Sequence, residues 1–289
     1  MYSTQQIQQL QEATKKLMQQ KNISASEIEQ LRSALRFHEH RYYVLNNPLI
    51  ADYEYDQLYK QLQQLEAAHP ELITKDSPTQ RVGSSLNQAF PTVQHLVPML
   101  SLDNSYNADD LYDFDRKARE LTGADVIEYC IEPKFDGAGI SLLYENDLLA
   151  RGATRGDGVE GEEITTNIKQ IRSIPLSAPF SLYGLQQVEI RGEVILTKDA
   201  FKKYNDTLAE EGIPPLANPR NAASGTLRMH DARIVAERAL DIFCYQLFFD
   251  GAEAFETHAE SLAWMAGAGF KVNANWRCCG MGWSWTDES

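Results

Sequence analysis

Near residue 75 the hydrophobic period of this chain changes from helical to strand-like, and no all-α or all-β fold can satisfy both parts. Overlapping capping-box patterns, Ser24-x-x-Glu27 and Ser26-x-x-Glu29, precede Ile28, Leu31 and Leu35, which predicts a helix running to about Leu45. A second helix is expected from Asp52, read as its N-cap, with Leu58, Leu62 and Leu65 on one stripe and a stop at His69-Pro70. A polar helix over residues 5–20 precedes both. Residues 75–98 are rich in Ser, Pro, Gly and Asn and have no sustained period, which reads as a connection. After a short helix over 108–121, strands are expected over 126–132, 139–144, 148–154, 188–196 and 240–248. A tight turn at Asn146-Asp147 joins the second of these to the third, and a helix is expected over 198–210. In the strand over 188–196, alternation puts Val188, Ile190, Val194 and Leu196 on one face and turns Glu189, Arg191 and Glu193 toward solvent or a site.

An apolar fraction of 43% and a charged fraction of 24% allow a sizeable core and argue against general disorder. No apolar run approaches the ~18 residues of a membrane span; the longest, 242–249, is strand-sized. The opening Met-Tyr-Ser-Thr-Gln-Gln is polar, so no signal peptide and a cytoplasmic location are expected. Cys130 and Cys244 read as buried free thiols, Cys278 and Cys279 are adjacent, and no C-x-x-C pair exists, which argues against a zinc site or a disulfide framework. A net charge of −14 repels polyanions, so a nucleic-acid partner would need a locally basic face or affinity from parts outside this sequence.

The chemistry centres on Glu132-Pro133-Lys134-Phe135-Asp136-Gly137. A lysine at a strand end followed by an acid and a glycine suits covalent nucleotidyl transfer. The amine must be deprotonated to attack, and burial and nearby cations, with Arg155, Arg191, Arg220 and Arg228 as candidates, favour that state. Gly137 would let the backbone approach a ligand closely. Gly156-x-Gly158-x-x-Gly161 fits the dinucleotide fingerprint, but Asp157, Glu160, Glu162 and Glu163 crowd it with negative charge and no βαβ pattern surrounds it. There is no P-loop either.

The lysine segment is followed in order by Ala153-Thr154-Arg155-Gly156-Asp157-Gly158, Val188-Glu189-Ile190-Arg191-Gly192-Glu193 and the segment 218–228, from Asn218-Pro219-Arg220 to Thr226-Leu227-Arg228. Upstream stand Tyr42-Tyr43, Asp52-Tyr53-Glu54-Tyr55-Asp56, the segment 76–83 and Ser101-Leu102-Asp103-Asn104. Together these segments, over about 26–272, resemble the signature segments of bacterial NAD⁺-dependent DNA ligases. The resemblance implies an α+β fold: a helical module that binds nicotinamide mononucleotide (NMN) over 1–75, a connection over 76–98, and a nucleotidyltransferase domain over 99–289. That domain would be mixed, largely antiparallel and ATP-grasp-like. Lys134 would attack the α-phosphorus of NAD⁺, with Asp136 beside it, releasing NMN and leaving lysyl-AMP. Glu132 would hold the adenine edge and Glu193 the ribose side. Arg155, Arg220 and Arg228 would position phosphate, and Ser101 and Leu102 would line the adenylate pocket. Tyr42, Tyr43, Asp52, Tyr55 and Asp56 would grip the NMN half. Mg²⁺ is implied with no metal ligand assigned, as are nicked double-stranded DNA as the partner of a full-length protein, roles in replication and repair, no membrane partner, and a monomer.

The family's later [ID]-D-G-x-V-x-K segment has no counterpart after Val272, so the domain is expected to lack its last motifs and this chain is not expected to seal nicks. Residues 276–285 hold three of the four tryptophans without a helical or strand period. Rival readings are an ATP-dependent nucleotidyltransferase and a catalytically inert nucleotide-binding module. Plainer roles also exist for single residues. Tyr42 and Tyr55 could be half-buried packing, Arg220 and Arg228 could pair with Asp231 or Glu237, Glu189 and Arg191 could form a surface ion pair, and His38 and His40 could be surface histidines.

Overall fold

The computed structural model describes residues 2–20, 23–81, 90–250 and 252–279. Helices α1 (Thr4–Gln19), α2 (Ile28–Glu39) and α3 (Asp52–Ala68) form the N-terminal unit. Their shared core is Leu17, Ile23, Ile28, Leu31, Ala34, Leu35, Leu58 and Leu62, the stripe residues at helical spacing. Ser3 caps α1 in a reciprocal box with Gln6. Asp52 is the first helical residue of α3 and not its cap: Ala51 holds the cap position, and Glu54 Oε2 accepts its N–H at 2.8 Å. Between α2 and α3 the chain runs through a π-helical turn, His40–Val44. The expected surface histidines are not both at the surface. His38 is buried where α1 crosses α2, its Nε2 3.0 Å from Thr14 Oγ1, because α1 covers the side of α2 that the period left polar.

The remaining chain contributes β1 (Thr92–Gln94), α4 (Ala108–Thr122), β2 (Tyr129–Ile131), β3 (Ala138–Glu145), β4 (Leu148–Thr154), β5 (Glu160–Glu162) and α5 (Thr165–Ile168). It continues through β6 (Gln187–Ile195), α6 (Lys198–Glu210), α7 (Pro219–Leu227), α8 (Ala232–Glu237), β7 (Asp241–Phe249), β8 (Ala252–Glu253), α9 (His258–Gly267) and β9 (Arg277–Cys279). A five-stranded antiparallel sheet has the order β4-β3-β6-β7-β8, and the pairs β1-β5 and β2-β9 stand apart from it. Asn146 and Asp147 turn β3 into β4, both with positive φ (49° and 70°), as a two-residue hairpin of primed type requires. On one face of the sheet Ile140, Leu142, Tyr144, Val188, Ile190, Val194 and Ile242 pack against Ala222, Ala223 and Leu227 of α7, Leu262 and Met265 of α9, and Phe180. The α+β class and antiparallel sheet accord with the sequence pattern. α7, α8 and α9 were not foreseen. The strand expected over 126–132 shortens to β2, while β1 and β9 form in segments read as a connection and as aperiodic. No helix among the described residues is long and apolar enough to cross a membrane.

The other sheet face carries a second layer. Glu189 and Arg191 form an ion pair at 2.9 Å with both side chains almost fully buried, not a surface pair. The segment before residue 100 lies over them: Arg191 donates to the carbonyls of Val97 and Pro98, and Leu96 N–H donates to Glu189 Oε2. A connection without periodicity thus becomes a cover because its backbone groups satisfy a buried ion pair. His95 joins in, bonding Ser141 Oγ and the Arg155 carbonyl. The segment 76–83 reaches the described residues only as far as Arg81, and the tail from Gly280 lies outside them.

Two arginines tie the N-terminal unit to the sheet domain. Arg81 is buried, pairs with Glu39 at 3.1 Å and donates to the carbonyls of Lys169, Ile171 and Ile174. Arg172 approaches Glu39 at 3.6 Å. Lys271 Nζ adds a bond to the Tyr43 carbonyl at 3.2 Å while paired with Asp241.

Candidate functional site

Lys134 lies in the extended segment between β2 and β3 and is exposed, so burial does not surround it as expected. The stretch is anchored on both sides. Phe135 stacks on Phe243 of β7, ring centroids 4.2 Å apart and nearly parallel. Gly137 N–H donates to Glu193 Oε1 at 3.0 Å. Gly137 is required by β6: an added Cβ would sit 2.0 Å from the Val194 carbonyl oxygen. The charges of Lys134, Arg220 and Asp136 all reach Glu193, whose carboxyl is held above its usual range chiefly by burial, against the pull of the Gly137 N–H and Lys134.

The arginines come from two elements, Arg155 from just after β4 and Arg220 and Arg228 from opposite ends of α7. Asn218 caps α7 and Pro219 opens it, which projects Arg220 from the first turn to meet Asp136 at 2.9 Å. Arg228, the last cap of the same helix, meets Glu162 of β5 at 2.5 Å. Neither pairs with Asp231 or Glu237, and Asp231 is taken by Arg233. Both pairs are well exposed, so exchanging carboxylate for phosphate costs little. Arg155 follows β4 and donates to Ser101 Oγ at 2.7 Å; Leu102 stands largely exposed beside it in sequence. Arg191, once a candidate cation, is committed to Glu189. Glu132 pairs with His258 at the start of α9, 2.7 Å apart. The sequence reading missed His258, although Thr257-x-x-Glu260 is a legible capping box. The glycine-rich stretch 156–161 is a turn from β4 into β5, with Gly156 and Gly158 at positive φ, and no helix begins there to receive pyrophosphate.

A second concavity, of about 360 Å³, opens on the N-terminal unit. It is lined by Tyr42 and Tyr43 from the π-helical turn and by Asp52, Tyr55 and Asp56 from α3. The rings of Tyr42 and Tyr43 lie 4.7 Å apart, and those of Tyr55 and Tyr59 are stacked at 6.1 Å. Tyr55 also packs, since its hydroxyl donates to the buried Glu39 at 3.0 Å; burial first, then Glu39, pushes its pKa well above the usual value. Arg172, from the loop after α5, completes the lining, and nothing at residue level pointed to it.

The cysteines are free. Cys244 is buried as expected. Cys130 is only partly buried because β2 is an edge strand, where it stands opposite Cys278 of β9. Burial, and then Cys278, pushes the Cys130 thiol up to about 11. Among the described residues no cluster of three His, Cys, Asp or Glu could hold a metal ion.

The family model for the NAD-dependent DNA ligase adenylation domain matches residues 87–283, and that for the DNA ligase-like, N-terminal NAD⁺-binding domain matches residues 21–83. A DNA ligase of a Sulfurihydrogenibium species is 58% identical over 252 residues, covering 85% of this chain and 36% of the relative. One from Persephonella marina is 61% identical over 222 residues, 77% of this chain and 31% of the relative. One from Aquifex aeolicus is 50% identical over 282 residues, 94% of this chain and 39% of the relative. The chain thus spans about a third of the length of the relatives it matches.

Proposed function

The chain belongs to the NAD-dependent DNA ligase family, as its adenylation region, and from that premise we propose that it takes AMP from NAD⁺ onto Lys134. The amine nitrogen forms a bond to the α-phosphorus, the bond from that phosphorus to the bridging oxygen breaks, NMN departs, and the amine proton passes to solvent. The observation that carries this reading is the convergence of Lys134, Asp136 and Arg220 on Glu193, with Arg155 beside Glu193 at Gly139 and Arg228 at the other end of α7 as phosphate donors. Glu132 serves the adenine edge, Glu193 the ribose, and Ser101 and Leu102 the wall of the adenylate pocket. Tyr42, Tyr43, Asp52, Tyr55 and Asp56 serve the NMN half: aromatic faces suit the cationic ring, and the carboxylates suit ribose hydroxyls. The division proposed is a helical NMN module over 1–75, a connection over 76–98, and from 99 a nucleotidyltransferase domain of ATP-grasp-like type. In the full-length ligase, AMP would pass to the 5′-phosphate of a nick in duplex DNA.

Intact mass after incubation with NAD⁺ and Mg²⁺ tests the proposal. An acid-labile AMP adduct on the unaltered chain, absent from Lys134→Ala, is the expected result. An adduct that persists in Lys134→Ala refutes the assignment of the nucleophile. An adduct formed from ATP in preference to NAD⁺ refutes the co-substrate.

A further inference from the structure

We propose that Cys130 and Cys278 are a redox-active thiol pair, closed into a disulfide by a low-molecular-weight disulfide, and that the bond pins β9 onto the strand that leads to Lys134. The two residues are far apart in sequence, yet they are the central partners of the antiparallel β2-β9 ladder, flanked by Tyr129 opposite Cys279 and Ile131 opposite Arg277. Directly opposed residues in such a ladder have Cα atoms about 4.5 or 5.5 Å apart, according to the pair type, and both spacings fall within the roughly 4.4–6.8 Å that a disulfide spans. Opposed side chains also leave the ladder on the same face. The Cys278 sulfur is near enough to contribute to the rise of the Cys130 thiol. Cys279, the next residue along β9, falls on the other face.

The two thiols differ in setting. Cys130 lies in a strand held from both sides, since the Tyr129 hydroxyl donates to Asp115 at 2.8 Å and Glu132 pairs with His258 at 2.7 Å. Cys278 is exposed and Cys130 only partly so, which makes Cys278 the first to meet a disulfide from solution. Its thiolate attacks one sulfur of the oxidant, the S–S bond of the oxidant breaks, and one half leaves as a thiolate that takes up a proton. Cys130, having given its proton to solvent, then attacks Cys278 Sγ and expels the other half in the same way. The chain loses two hydrogens, and the oxidant is reduced to two thiols. β2 and β9 form a two-stranded sheet of three residues each, apart from the five-stranded sheet, and a pair so short is marginal in water. A bond at its centre decides whether β9 stays in place beside the residues that precede Glu132 and Lys134.

The test is incubation of the whole chain with glutathione disulfide, in native buffer and in urea, followed by alkylation of the remaining thiols, intact mass and peptide mapping. The expected product has lost two hydrogens, carries a cross-link between Cys130 and Cys278, and reverts with dithiothreitol. The ratio of this cross-link to the other cysteine pairings should be at least about 10-fold higher in the native chain than in urea. Cys279→Ser should leave it intact. Amide exchange along β2 and β9 should slow by about 10-fold or more in the oxidised chain. A bond between Cys278 and Cys279, a mixed disulfide at Cys278 that Cys130 never resolves, or the same mixture of pairings with and without urea would overturn the pairing. Unchanged amide exchange in the oxidised chain would overturn the pinning of β9.

Discussion

Removing the Arg81 side chain should separate what each unit contributes alone from what their contact contributes. Arg81→Ala strips the buried Glu39 of its closest cation and leaves the carbonyls of Lys169, Ile171 and Ile174 without their donor. Breaking one side of a buried ion pair costs about 3–5 kcal/mol. Glu39 keeps the Tyr55 hydroxyl and the more distant Arg172, which favours the low end. Each of the three carbonyls adds up to roughly 1 kcal/mol, less where water enters, so a total of about 4–6 kcal/mol is expected. For a chain of this size that corresponds to a fall in Tm of about 8–24 °C, readable by calorimetry or circular dichroism. The cycle with Glu39→Gln sharpens the test. Once the carboxylate is neutral, losing Arg81 should cost about 1–3 kcal/mol less than it does beside a charged Glu39. A Tm for Arg81→Ala within about 2 °C of the unaltered chain would refute this account of the interface.

Two further outcomes follow from local geometry. Gly137→Ala should cost about 3 kcal/mol or more in urea midpoint measurements, because its Cβ would push β3 from the Val194 carbonyl; near-native stability would return Gly137 to the ligand-approach role. His38 and His40 are held down to about 4, mainly by burial, so between that value and their ordinary 6.5 the unfolded chain binds protons that the folded chain refuses. Stability should therefore decline as pH falls through this window, with His38 contributing at most about 3 kcal/mol. A His38→Gln variant whose melting temperature falls between pH 7 and 4.5 as steeply as the parent's would contradict that assignment.

The halves of the fold were readable in the sequence because each helix and each central strand carries its own period: Leu58 and Leu62 face the helical core, and Val188, Ile190 and Val194 face the sheet core. What escaped was whatever depends on a distant partner. His38 looked exposed because the helix that covers it lies upstream across a turn. Glu189 and Arg191 looked like a surface pair because their cover, near residue 97, has no period of its own. In the site, short motifs named Lys134, Glu193 and the arginines, yet the carboxylates that hold Arg220 and Arg228 came from other segments. Arg172 had no motif at all: its meaning depends on a pocket built about 120 residues earlier in the chain.

The order of synthesis gives the contact between the units a timetable. Leu17, Leu31, Leu35 and Leu58 can close their helical core as soon as α3 leaves the ribosome. The carbonyl acceptors of Arg81 lie 88–93 residues further on, and the lysine that holds the Tyr43 carbonyl lies 228 residues beyond it. At about 20 residues per second, Arg81 would wait roughly 4 s for its first carbonyl and Tyr43 roughly 11 s for its lysine. During that interval Glu39 has only Arg81, the Tyr55 hydroxyl and water, and the docked arrangement is a late event in the life of the chain.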